Sequence, residues 1–98
     1  MKILFLGDIV GNTGCNAIKN NLSKILKKTH ADFVIVNGEN SHSSGVGITE
    51  NISNEIFSCG VDVITTGNHV WDQKETLEHI KNEKRLLRPY NMSDDLPG

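Results

Sequence analysis

Little in this sequence invites a polyanion: 10 lysines and arginines are outnumbered by 12 aspartates and glutamates, for a net charge of -2. Without a basic excess a nucleic-acid groove has no electrostatic footprint, so no polynucleotide partner is expected. Cysteine is scarce as well. Cys15 and Cys59 are the only two, far apart and without a C-x-x-C. That argues against a disulfide framework and for reduced thiols in a cytoplasmic protein. No run approaches the roughly 18 apolar residues that span a bilayer. Met1-Lys2-Ile3 leads directly into a strand-like segment with no apolar leader, so neither secretion nor a membrane partner is expected. The 98 residues make room for one domain, 1–98, with a modest core, and not for a second.

What is present is a repeated alternation of short apolar runs and amphipathic segments. Ile3 to Leu6 is apolar on consecutive positions and closes on Gly7-Asp8, as in a strand buried on both faces of a parallel sheet. Asn12-Thr13-Gly14 offers N-cap chemistry for a helix carrying Ala17, Ile18, Leu22, Ile25 and Leu26 at helical spacing. Lys24, Lys27 and Lys28 lie opposite, towards the negative end of the helix dipole. Phe33 to Val36 is the second strand. Ser41 to Gly47 reads as a loop, with Gly45 and Gly47 giving it freedom to adopt positive φ. Ile48, Ile52, Ile56 and Phe57 then mark a second helix that ends near Gly60. No acid follows Thr49 at capping-box spacing, so the pattern does not fix where this helix begins. Val61 to Thr65 is the third strand, and Asp72 with Glu75 forms a D-x-x-E start for a third helix through Leu77 and Ile80. Arg85 to Gly98 has turn composition with room for one short strand at Leu86-Leu87. The predicted fold is α/β, in the order βαβαβα with a mainly parallel sheet, and right-handed crossovers bring the strand ends to one edge.

Three strands end in polar groups of metal-binding type: Asp8, then Glu39-Asn40, then Asn68-His69. In a parallel sheet these ends converge although they are distant in sequence. Carboxylate and amide oxygens suit hard or borderline divalent cations, and an imidazole suits proton transfer near neutral pH. Taken singly, each group has an ordinary explanation in loop hydrogen bonding or helix capping. Three in succession at one sheet edge point to a site, since capping does not call for Glu or His there.

Other features are weaker. Gly7, Gly11 and Gly14 surround the first strand-to-helix turn, where a helix N-terminus attracts anions. Their spacing is not G-x-G-x-x-G, and no Gly-Lys-Ser/Thr follows, so a nucleotide-binding module is a distant alternative. His42 sits in the loop after Asn40, either solvated or reaching towards a ligand. His30 and His79 read as surface residues. Cys15, near a helix N-terminus, is either a small semi-buried side chain or a thiol of lowered pKa. Trp71 either packs the loop or stacks on a base.

The stretches Gly7-Asp8-Ile9-Val10-Gly11, Asn37-Gly38-Glu39-Asn40, Gly67-Asn68-His69-Val70-Trp71-Asp72 and Arg88-Pro89-Tyr90-Asn91 resemble the N-terminal part of bacterial YmdB-like metallophosphoesterases, a branch of the calcineurin-like phosphoesterases. Val10 stands where the wider superfamily has the His of D-x-H, and Glu39-Asn40 replace its G-D-x-x-D motif, as in this branch. The resemblance implies half of a calcineurin-like α/β sandwich and an iron or manganese centre hydrolysing phosphodiesters, with 2′,3′-cyclic nucleotides as the substrate class. It implies Asp8 and Asn40 on one metal, Glu39 bridging, Asn68 on the second, and His69 protonating the leaving oxygen.

Family members are more than twice as long, and their remaining metal-binding histidines, including an H-x-H, have no counterpart after His79. The expectation is therefore an N-terminal fragment, inactive alone, with weak or absent metal binding. Its partner would be a complementary C-terminal chain, and the missing second sheet would leave apolar surface that favours a homo-oligomer. The rival reading is a non-catalytic remnant that associates with itself or with another protein.

Overall fold

The computed structural model describes residues 1–98. It contains β1 (Ile3–Leu6), α1 (Gly11–Thr29), β2 (Phe33–Asn37), α2 (Glu50–Ser58), β3 (Val63–Thr65), α3 (Thr76–Asn82) and β4 (Leu86–Leu87). All three strand pairings are parallel, and the sheet runs β1-β2-β3-β4. The predicted βαβαβα order is present, with Leu86-Leu87 as the short extra strand. Right-handed crossovers in that order place every helix on the same face of the sheet. The core agrees: Val34, Val36, Ile64 and Leu86 from the sheet are buried in one cluster with Ile18 and Leu22 of α1, Ile56 of α2 and Ile80 of α3.

The opposite face has no covering layer. Strand alternation puts Ile3, Phe5, Phe33, Ile35, Val63 and Leu87 there. The register joins them across the sheet, Ile3 to Phe33, Phe5 to Ile35 and Ile35 to Val63. Ile3 is 58% and Phe5 59% exposed. The molecule is thus one layer of helices on one sheet, which is the half-sandwich that the sequence suggested.

Helix starts depart from the sequence reading. Asn12 and Thr13 do not cap α1. Its N-cap is Val10, which has no capping side chain, and the Gly11 N–H instead donates to the backbone oxygen of Asn40 at 2.9 Å. A neighbouring loop takes the place of a cap. Thr49, left open by the sequence, does cap α2, accepting from the Ile52 N–H at 3.3 Å. The D-x-x-E start of α3 is not used as such: α3 begins at Thr76, after both acids. Glu75 turns to α2 and accepts from the Glu50 N–H at 3.1 Å, while Asp72 is bound to His69. β3 starts at Val63 rather than Val61, because Val61 belongs to the core and Asp62 accepts the Val34 N–H at 2.8 Å.

His79 is not a surface residue. Its side chain is 9% exposed and its Nε2 lies 2.8 Å from the hydroxyl of the buried Ser53. It packs between α3 and α2, where a helix-end position in the sequence gave no hint of a facing partner. The exposed Lys19–Glu55 pair, 2.8 Å apart, joins α1 to α2. No helix is long and apolar enough to cross a membrane.

Candidate active site

The turns that follow β1, β2 and β3 are tied to one another by backbone hydrogen bonds. The Ile9 N–H donates to Asn37 O at 3.1 Å, and the Gly38 N–H donates to Thr65 O at 2.9 Å. Each strand end is thereby fixed against the next, and polar side chains on adjacent turns are brought within reach.

Asp8 and Asn40 meet: the Asn40 Nδ2 donates to Asp8 Oδ2 at 3.0 Å. Glu39 reaches the other way, where its Oε2 accepts from the His69 backbone N–H at 3.3 Å. Its carboxylate lies directly over Gly67, in the space that a Cβ at that position would occupy. Four of the five predicted residues, Asp8, Glu39, Asn40 and His69, are thus joined across three turns. Asn68 lies exposed on the same turn as His69, and its side chain makes no hydrogen bond. The His69 ring turns to Asp72, with Nδ1 2.8 Å from Oδ2.

Oxygen donors dominate this cluster, as hard and borderline divalent cations require. One of them is available: Asn40 Oδ1 is buried without a hydrogen-bond partner. The chemistry of Asp8, Glu39 and Asn40 therefore fits a cation on one side. They do not enclose one, since no three His, Cys, Asp or Glu side chains gather about a common point. Asp8, Glu39 and Asn40 present their oxygens from one side only.

The remaining candidates settle outside this cluster. His42 Nδ1 lies 2.8 Å from Ser44 Oγ and serves its own loop, in which Gly45 and Gly47 take φ of +87° and +83°. Cys15 is buried and its Sγ–H donates to Ser41 O at 3.4 Å. Burial pushes its thiol pKa up, against the opposing charge of Lys19, so the lowered pKa considered from the sequence does not arise. Trp71 packs against the hydrophobic cluster. Two participants were missed from sequence. Gly67 makes room for Glu39, and Asp72 reaches His69; the signal for the second was the spacing of three residues across a turn.

Comparison with known proteins matches residues 4–98 to the family model described as YmdB-like protein. The chain is 42% identical, over its whole length, to a 2′,3′-cyclic-nucleotide 2′-phosphodiesterase of Bacillus subtilis (strain 168), of which it covers 37%. It is 45% identical over 94% of its length to a putative phosphatase/phosphodiesterase of Mycoplasma pneumoniae, covering 32% of that protein. Among solved structures, a hypothetical protein from Thermus thermophilus superposes with a TM-score of 0.90 at 35% identity, over all of this chain and 37% of the other. A novel phosphatase from Mycoplasma pneumoniae gives 0.88 at 44% identity, over 95% of this chain and 33% of the other. The chain spans about a third of the length of the relatives it matches.

Proposed function

This chain belongs to the YmdB-like family, and on that premise we propose that it carries one wall of a metal-dependent phosphodiesterase site acting on 2′,3′-cyclic nucleotides. The observation that carries the reading is Glu39, whose carboxylate crosses from the turn after β2 to the turn after β3, beside the Asp8–Asn40 pair. Asp8 and Asn40 would hold one ion, Glu39 would be shared, and Asn68 would serve a second. When bound, iron or manganese supplies a more acidic water and offsets charge on the phosphoryl oxygens. The His69 imidazole protonates the leaving oxygen. The other ligands come from the polypeptide that makes up the rest of the relatives' length, whether continuous with this chain or separate, so the 98 residues alone bind metal weakly or not at all. Free thiols at Cys15 and Cys59 fit a cytoplasmic setting.

The test is a chimera in which this chain replaces the matched segment of the Bacillus subtilis relative. With manganese it should hydrolyse 2′,3′-cyclic AMP and bis-p-nitrophenyl phosphate; Asp8→Asn should abolish both activities, and His69→Ala should abolish that on 2′,3′-cyclic AMP. A folded chimera without turnover at any manganese concentration overturns the reading.

A second reading rests on the uncovered sheet face, where Ile3, Phe5 and Leu87 are exposed: a non-catalytic module that associates with a second copy of itself. It predicts a dimer or larger species with no metal-supported turnover. A monomer mass by light scattering at micromolar concentration removes it.

A further inference from the structure

We propose that Asp72 is the positioning residue for His69: it receives the Nδ1–H and so makes Nε2 the nitrogen that gives its proton to the leaving oxygen. The inference rests on the phosphodiesterase reading above and deepens it.

An ionised carboxylate only accepts hydrogen bonds, so the 2.8 Å contact between His69 Nδ1 and Asp72 Oδ2 places a hydrogen on Nδ1. The contact is built into the turn. The Val70 N–H donates to Gly67 O and the Asp72 N–H to His69 O, each at 3.1 Å. These successive turns bring residues 69 and 72 to the same side, while Val70 is fully buried between them. The backbone of His69 is held independently through its N–H to Glu39. Ring and main chain are therefore fixed by two different carboxylates. Nε2 bonds to no protein atom, and the side chain is 40% exposed, so this nitrogen is free to meet a substrate.

Helix capping does not account for Asp72, because α3 begins four residues later and has no side-chain cap. Stability does not account for it either, since ion pairs this exposed contribute little. What the pair does determine is which nitrogen reacts.

In the step it serves, a water oxygen bonds to phosphorus and releases its proton to solvent. The P–O bond to the ribose oxygen breaks, and its electron pair stays with that oxygen. The Nε2–H bond breaks and an O–H bond forms on the ribose. The ring passes from imidazolium to neutral imidazole, with Nδ1–H still directed at Asp72.

Two measurements test this. Nitrogen NMR of the 98-residue chain should find the neutral His69 ring protonated on Nδ1, and Asp72→Ala should move the hydrogen to Nε2. A wild-type ring protonated on Nε2, or one unchanged by Asp72→Ala, overturns the proposal. In the chimera, Asp72→Ala should lower kcat on 2′,3′-cyclic AMP about 100-fold, the lower end of what acid catalysis contributes. On bis-p-nitrophenyl phosphate, whose leaving group departs without a proton, it should change kcat less than about threefold, with KM unaltered. Equal losses on both substrates make Asp72 merely structural and overturn the proposal. A wild-type chimera inactive on both substrates counts against the phosphodiesterase reading, while the NMR result still decides the role of Asp72.

Discussion

The carboxylate of Glu39 occupies the space that a side chain at Gly67 would fill. A methyl group there would fall within the carboxyl group itself. Gly67→Ala should therefore displace Glu39, loosening the His69 N–H contact at the same time. The expected result is a stability loss of about 1–3 kcal/mol, typical of overpacking, with at least a tenfold drop in chimera activity. Thermal melts and turnover check the two effects separately.

Gly38 poses a similar constraint in the core. A Cβ at this position would lie 2.9 Å from Cγ2 of Ile64 and 3.3 Å from Cδ1 of Ile48, both fully buried. Gly38→Ala should cost about 1–3 kcal/mol in urea unfolding. Trimming a neighbour should relieve part of it: Ile48→Val, which removes the Cδ1 at 3.3 Å, should cost less in the Gly38→Ala background than in the wild type, the non-additivity expected of touching residues.

Thiol chemistry should separate the two cysteines. Cys59 is half-buried, whereas Cys15 lies in the core with a thiol pKa raised by burial. An aromatic disulfide reagent should modify Cys59 first and Cys15 only as fast as the chain opens. Where opening is not rate-limiting, the rate at Cys15 should keep rising above the ordinary thiol range. Equal rates would contradict this burial.

Acid sensitivity has an identifiable contributor in Glu83. Hydrogen bonds from Arg85, at 2.9 Å from both Nε and Nη2, hold its carboxyl below the usual glutamate pKa. Arg85 also lies 3.9 Å over the Phe57 ring. A depressed folded-state pKa adds stability above the unfolded value, and that contribution is lost as pH falls through the folded value. Glu83→Gln should melt below the wild type at neutral pH, and the gap should close in acid. Melting curves at several pH values check the sign.

Charge placed on the uncovered sheet face should suppress association. Phe5 and Ile35 are register partners on that face. Phe5→Lys should reduce the self-associated fraction in light scattering without unfolding the helix-side core. Unchanged mass at equal concentration would mean that association, if present, uses another surface.

How much of this was legible in the sequence depends on which interactions set each feature. The strands were legible because Ile3 to Leu6 and Phe33 to Val36 are apolar at consecutive positions, although β1 is not buried on both faces as that run suggested: Ile3 and Phe5 are exposed. The strand-end residues were legible for the same reason, since placing the strands placed Asp8, Glu39, Asn40, Asn68 and His69. Helix starts were not, because the Gly11 N–H at the start of α1 is met by Asn40 and the acids before α3 bond Glu50 and His69. Those partners lie up to 29 residues away along the chain, and local capping rules do not see them. The burial of His79 was hidden likewise, since it depends on Ser53 of a different helix.

The sheet order β1-β2-β3-β4 has each strand paired only with its neighbours in the chain. Order of synthesis and order of assembly then coincide: every strand–helix unit finds its docking surface already laid down when it leaves the ribosome. The growing edge always belongs to the newest strand, so this layer can form early. The uncovered face of β1 and β2 must then wait longest for whatever closes it.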